Sequence, residues 1–275
     1  NYDYLTVAYD ASGTELWARV KNGAANRDDS ASAVAVDGSG NVYVTGSSDN
    51  GSNYDYLTVA YDASGTELWA KVKNGAANRD DNTYALAVDG SGTVYVTGTS
   101  SNGSNYDCLT VAYDASGTEL WAKVKNGAAN GQDYAFALAV DGSGTVYVTG
   151  ASSNGANYDY LTVAYDASGT ELWAKVKNGA ANSYDEAYAL AVDGSGIVYV
   201  TGVSHNGSNT DYLTVAYDAS GTELWSKVKN GAANSYDEAY ALSVDGSGNV
   251  YVTGYSSNGS NTDYLTVAYD ASGTE

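Results

Sequence analysis

The chain has 275 residues, with 33 Asp and Glu against 12 Lys and Arg, a formal net charge of -21. A charge of that size repels phosphate backbones and anionic headgroups, so nucleic acid and membrane surfaces are excluded as expected partners. One Cys cannot close an internal disulfide, and one His with one Cys cannot build a zinc site.

No apolar run approaches the ~18 residues that a bilayer span needs, so no membrane insertion is expected. There is no Met, which points to a processed or partial chain. The composition is rich in Tyr (27) and Gly (32), has 5 Trp, and contains no Pro.

An internal repeat organises everything else. Asn1-Tyr2-Asp3-Tyr4-Leu5-Thr6-Val7-Ala8-Tyr9-Asp10 returns almost unchanged from Asn53, Asn105, Asn157, Asn209 and Asn261, always 52 residues on. The units are residues 1–52, 53–104, 105–156, 157–208 and 209–260, followed by a partial sixth copy, 261–275. No linker or composition break interrupts them, which favours one domain over 1–275.

Each unit predicts four short strands, taken here from the first copy. Tyr4 to Tyr9 alternates Leu5, Val7 and Tyr9 against Tyr4, Thr6 and Ala8, the period of a strand, in β-favouring residues. Asp10-Ala11-Ser12-Gly13 is a tight turn. Thr14 to Lys21 is the second strand, with Leu16, Ala18 and Val20 on one side and Trp17 on the other. A polar loop covers Asn22 to Asp29, and an Ala- and Val-rich strand runs from Ala31 to Val36. Asp37-Gly38-Ser39-Gly40 is the second tight turn, and Val42 to Thr45 is the fourth strand. In both turns an Asp accepts backbone N–H groups and a final Gly takes positive φ. Such turns join antiparallel neighbours, so the unit is a meander rather than a parallel coil.

Four-stranded antiparallel units about 50 residues apart predict an all-β fold, a five-bladed β-propeller whose blades bury both faces against their neighbours. The repeat resembles the SBBP-type bacterial β-propeller repeat. The resemblance covers the whole chain and rests on Asp3, on Asp10-Ala11-Ser12-Gly13-Thr14-Glu15-Leu16-Trp17, and on Ala35-Val36-Asp37-Gly38-Ser39-Gly40-Asn41-Val42-Tyr43-Val44-Thr45-Gly46. It implies a propeller and no common reaction. It also implies that the Ala-rich strand, called A, lies innermost; Val42–Thr45 is then B, Tyr4–Tyr9 is C, and the Trp17 strand is D at the rim. The chain then begins with C and D and ends with A, B and C, so residues 1–15 and 261–275 compete for one place. The N-terminal C–D pair is expected to close the ring on the last A–B pair.

The copies differ in two short windows. The first reads Arg27, Asp28, Ser30, Ser32; then Arg79, Asp80, Asn82, Tyr84; then Gly131, Gln132, Tyr134, Phe136. In the last two copies it reads Ser183, Tyr184, Glu186, Tyr188 and Ser235, Tyr236, Glu238, Tyr240. The second window is Ser47, Thr99, Ala151, Val203 and Tyr255, followed two residues later by Asp49, Ser101, Ser153, His205 and Ser257. In a meander the D–A and B–C connections share one face, while the constant tight turns share the other. Tyr, Ser, Asn, Asp and Arg suit adaptable contact, although surface loops also drift without function. The candidate contact residues are Arg27, Asp28, Arg79, Asp80, Tyr84, Tyr134, Phe136, Tyr184, Glu186, Tyr236, Glu238 and Tyr255; Tyr188 and Tyr240 belong with the same aromatics.

Other chemistry is sparse. His205 occupies a position held elsewhere by Ser or Asp, and Cys108 replaces a strand Tyr, so neither reads as catalytic. Asp29, Asp81, Asp133, Asp185 and Asp237 are weak metal candidates that could gather around Ca²⁺; the alternative is that each caps its own loop. No other cofactor is expected. The five Trp occupy one repeat position and read as inter-blade packing.

Three functions remain. The first is a non-enzymatic module that binds a glycan, peptide or protein. The second is a structural element, from a longer repetitive surface protein or an amplified or designed symmetric propeller, self-associating through its terminal strands. The third and weakest is a hydrolase. The composition suits an extracellular or cell-surface protein of bacterial or archaeal origin.

Overall fold

The period-two alternation becomes 21 strands and no helix in a computed structural model that describes residues 1–275. There is accordingly no helix long and apolar enough to cross a membrane. Two compact units are present, Asn1–Lys125 and Asn126–Glu275.

The first unit opens with β1 (Tyr4–Tyr9) and β2 (Glu15–Lys21), paired only with each other. The sheet of β3 (Asp29–Val36), β4 (Val42–Asp49), β5 (Tyr54–Tyr61) and β6 (Glu67–Lys73) follows, all antiparallel and in chain order. A second such sheet holds β7 (Asp81–Val88), β8 (Val94–Ser101), β9 (Tyr106–Tyr113) and β10 (Glu119–Lys125). β7 packs on β3, β4 and β5, so the A strands lie together and the D strands are outer edges.

The second unit repeats the plan. β11 (Asp133–Val140), β12 (Val146–Ser153), β13 (Tyr158–Tyr165) and β14 (Glu171–Lys177) form one sheet. β15 (Asp185–Val192), β16 (Val198–His205), β17 (Thr210–Tyr217) and β18 (Glu223–Lys229) form the next. β19 (Asp237–Val244), β20 (Val250–Ser257) and β21 (Thr262–Tyr269) form a three-stranded sheet. β15 packs on β11, β12 and β13, and β19 on β15, β16 and β17.

The tight turns take the expected form. Asp10 Oδ1 accepts the Ser12 and Thr14 N–H groups at 2.8 and 2.9 Å, and Gly13 takes φ +83°. The Ser12 hydroxyl and those N–H groups hold the Asp10 carboxyl below the ordinary Asp value. Asp37 does the same for Ser39 and Asn41, and its second oxygen accepts the Tyr43 hydroxyl at 3.0 Å.

Aromatic clamps join successive sheets. Trp69 Nε1 donates to the Ala115 carbonyl at 3.1 Å, and its ring lies 5.9 Å from Tyr113 and 6.0 Å from Tyr43. Tyr56 is buried and donates to the Leu109 carbonyl of the next sheet at 3.2 Å. Trp173 and Tyr160 make the matching contacts in the second unit. The Trp position is thus inter-blade packing, as expected. Val59, Val94, Val96 and Val111 fill the space between sheets, each burial stabilising by roughly 1.5–3 kcal/mol.

Three expectations are corrected. Strand A begins at Asp29 rather than Ala31, and B runs to Asp49 rather than Thr45, because Asp29 pairs with Ser48 and Ser30 with Ser47. The Leu16 and Val20 side of strand D faces solvent, since an edge strand has one sheet face to bury and Trp17 occupies it. The N-terminal pair does not complete the sheet of β19 and β20: β21 takes that position. A short local connection from β20 closes at far lower entropic cost than one spanning the chain.

Candidate functional site

Strand A carries a bulge in every copy, and the bulge falls on a variable position. Pairing jumps from Ala31 to Ala33, Thr83 to Ala85, Ala135 to Ala137, Ala187 to Ala189 and Ala239 to Ala241. The residues skipped are Ser32, Tyr84, Phe136, Tyr188 and Tyr240. A bulged residue has no cross-strand partner and its side chain is re-aimed. Strand B makes room with an invariant glycine: a Cβ on Gly98 would lie 2.0 Å from the Asn82 carbonyl oxygen and 2.7 Å from Thr83 Cα.

The two windows are physically one. Ser47 pairs with Ser30, Thr99 with Asn82, Ala151 with Tyr134, Val203 with Glu186 and Tyr255 with Glu238. The end of strand B also bonds to the D–A loop, as in the His205 N–H to Tyr184 carbonyl contact at 2.9 Å.

In the second unit these positions form a continuous row of rings. Tyr184 meets Tyr158 edge-on at 6.1 Å, and Tyr158 lies 5.9 Å from Tyr134. Tyr134 stacks on Phe136 at 5.7 Å, and Phe136 lies 5.9 Å from Tyr188. Tyr188 stacks on Tyr240 at 5.5 Å, and Tyr240 lies 5.9 Å from Tyr255. The row stays open to solvent: Tyr184 is 38% and Tyr240 51% exposed.

Two carboxylates are set into it. The Tyr188 hydroxyl donates to Glu186 Oε2 at 3.0 Å and the Tyr240 hydroxyl to Glu238 Oε2 at 2.6 Å. Burial, and then Glu186, raises the Tyr184 and Tyr188 phenols well above their ordinary value. Burial and Glu238 do the same for Tyr240 and push Tyr255 up to about 12. The phenols are therefore neutral at physiological pH.

The first unit differs. Asp28 and Asp80 accept the Tyr2 and Tyr54 N–H groups, each at 3.0 Å, and so fasten strand C. Arg27 lies 3.9 Å from Asp49, beside Gly51. Arg79 approaches Gly103 in the equivalent place. Tyr84 is 40% exposed, and Tyr236 is an exposed loop residue of the second unit outside the ring row.

Tyr158 was missed by sequence reasoning. Its column reads Tyr2, Tyr54, Tyr106, Tyr158, Thr210, Thr262, and that change from Tyr to Thr was the available signal.

Each weak metal candidate is engaged within its own loop. Asp29, Asp81, Asp133, Asp185 and Asp237 each accept a loop N–H of their own repeat, from Gly23, Gly75, Gly127, Gly179 and Gly231, at 2.5 to 2.7 Å. The glycine lets the loop descend onto the carboxylate, where a Cβ on Gly75 would lie 2.7 Å from Asp81 Oδ1. No three His, Cys, Asp or Glu side chains converge as a metal ion requires. His205 Nδ1 accepts the Gly207 N–H at 3.1 Å, a turn contact, and Cys108 is buried.

Known structures share this fold. The β-propeller domain of the trilobed protease from Pyrococcus furiosus matches with TM-score 0.53 at 10% identity, over 88% of this chain and 68% of that one. Sqt1 from Chaetomium thermophilum, bound to the N-terminus of ribosomal protein L10, matches with TM-score 0.59 at 14% identity, over 98% and 66%. The periplasmic gluconolactonase PpgL of Pseudomonas aeruginosa matches with TM-score 0.55 at 12% identity, over 98% and 80%. The chain spans about two thirds of the first two proteins, and identities this low carry the fold alone. No curated protein matches. The SBBP β-propeller repeat model matches residues 23–55 and 231–260. Those two stretches, together with the 52-residue identity that relates them to the other copies, show that the chain carries β-propeller repeats of the SBBP type.

Proposed function

We propose that this chain is a non-enzymatic binding propeller, each of its five repeats supplying the strands of one blade. Its variable windows would be presented to a glycan, peptide or protein in an extracellular or cell-surface setting of a bacterium or archaeon. One observation carries the reading: residues that differ between copies come together as a half-exposed row of rings in the second unit. The repeat aligns the bulged position from copy to copy, and four of its five residues, Tyr84, Phe136, Tyr188 and Tyr240, are aromatic, a bias that drift alone does not supply. Similar propellers include one bound to a protein N-terminus and one named as a lactonase, so the fold permits both roles. Against catalysis, the row offers no nucleophile–base pair, and both carboxylates are engaged by phenol hydroxyls.

The test is a combined glycan and peptide array probed with the parent chain and with a Tyr188→Ser, Tyr240→Ser double variant of unchanged circular dichroism. Hits lost in the variant support the reading. A blank array, or hits indifferent to the substitutions, would sink it.

A second reading, structural assembly, has its own support. β1–β2 lacks two strands of a sheet and β19–β21 lacks one. Tyr264 is 97% exposed, where its counterpart Tyr212 is 1% exposed. Exchange of terminal strands between copies would cover both. Light scattering over a hundredfold concentration range decides: growth of a dimer or larger species supports it, and a constant monomer removes it.

A further inference from the structure

We infer that the aromatic row of the second unit is a docking site for an extended, arginine-rich peptide. This rests on the binding-face reading above and adds the ligand class.

Charge is the first argument. Glu186 and Glu238 lie within the row, and neither has a Lys or Arg partner. The neighbouring lysines are engaged at the far edge of the sheets, Lys177 with Glu223 and Lys229 with Glu275. The window positions that carry Arg27 and Arg79 in the first unit carry Gly131, Ser183 and Ser235 in the second. In the fourth and fifth copies the Arg-Asp pair of the first two gives way to Ser-Tyr and a glutamate enters three residues on, which leaves these windows acidic with no cation, in a chain already at -21. Glu186 is only 9% exposed, and a buried carboxylate without a cation attracts one strongly. A neutral sugar gains nothing from this charge.

Ring chemistry is the second. Neutral phenol and phenyl faces attract cations through their quadrupoles, and a planar guanidinium stacks on them better than an ammonium does. A guanidinium can also hydrogen-bond the carboxylate of Glu186 or of Glu238, sharing it with the tyrosine hydroxyls already there.

Spacing is the third. Phe136, Tyr188 and Tyr240 succeed one another at 5.9 and 5.5 Å. Alternate side chains of an extended strand recur at about 6.6–6.8 Å. The ring spacing is shorter by about 1 Å per step, a difference that long arginine side chains take up over three positions, so the row suits Arg-x-Arg-x-Arg, with every second side chain over the rings and Tyr255 closing the row.

Calorimetric titration with Arg-Ser-Arg-Ser-Arg, its lysine counterpart and cellohexaose tests this. The arginine peptide is expected to bind at least about threefold more tightly than the lysine one. Tyr188→Ala and Tyr240→Ala should each weaken it about fivefold or more, while Tyr240→Phe keeps most of the affinity. Glu238→Gln should weaken binding about threefold and flatten its salt dependence, while Glu223→Gln at the sheet edge leaves it unchanged. Circular dichroism and melting confirm that each variant is folded.

Equal binding of the peptide to parent and alanine variants would mean general attraction to an acidic surface and overturns the inference. Cellohexaose binding at the row, with no peptide binding, overturns it and leaves the binding-face reading standing. Silence from every probe here, together with a blank array above, ends both.

Discussion

Two glycines in the same kind of turn separate backbone strain from packing. Gly13 and Gly65 both take positive φ, at +83° and +79°. A Cβ on Gly13 meets nothing within 4 Å, whereas one on Gly65 would lie 2.6 Å from Trp17 Cδ2. Gly13→Ala should therefore cost about 1 kcal/mol, the left-handed penalty. Gly65→Ala should cost roughly 2 kcal/mol or more, because the Trp17 clamp must also move. Urea unfolding of the two variants measures the difference, and equal losses would deny Trp17 its clamping role. The sequence shows both glycines in the same Asp-Ala-Ser-Gly motif and cannot tell them apart. The approach of Trp17 from the preceding pair of strands does.

At the scale of the element, the bulge in strand A links pattern to site. Alternation predicted the strand, but its two-residue period is interrupted at Phe136, Tyr188 and Tyr240, the rings that form the row. The windows were legible as variation between copies. That they are opposed across one ladder was not, because strand B was expected to stop at Thr45 instead of reaching Asp49. Filling the crowded face of strand B tests the bulge: Gly202→Ala would place a Cβ 2.0 Å from the Glu186 carbonyl oxygen. That variant should lose at least about 2 kcal/mol and disturb the Tyr188 ring. A melt and a near-ultraviolet dichroism spectrum identical to the parent would refute this. Trp69→Ala, which removes an inter-sheet clamp, should cost about 3–5 kcal/mol by denaturant titration.

For the whole molecule, acidity is distributed in two opposing sets. Asp10, Asp62, Asp114, Asp166, Asp218 and Asp270 are held below 3.8, chiefly by the hydroxyl of the turn serine. Their contribution is present above 3.8 and is lost as pH falls through their folded values. Asp55, Asp81, Asp185 and Asp211 are raised above 3.8 by burial. Theirs is full below 3.8 and fades as pH rises through their folded values. Self-repulsion at -21 also eases on mild acidification. Thermal melts from pH 8 to 3 should thus peak on the acid side of neutrality, above 3.8, and fall below it. A melting temperature that declines steadily from pH 8 downward would contradict this balance.

The sequence by itself determined the strands, their antiparallel order within each repeat and the tight turns, because these depend on period, turn chemistry and short loops, all local. The 52-residue identity then fixed the sheets as copies of one another. Only the tertiary structure decided three things. It paired β21 with β20, closed each buried Asp onto a loop glycine, and drew rings from different repeats into one row. Each of these depends on which distant groups compete for the same edge, donor or surface. A repeat that is locally the same everywhere carries no record of that competition.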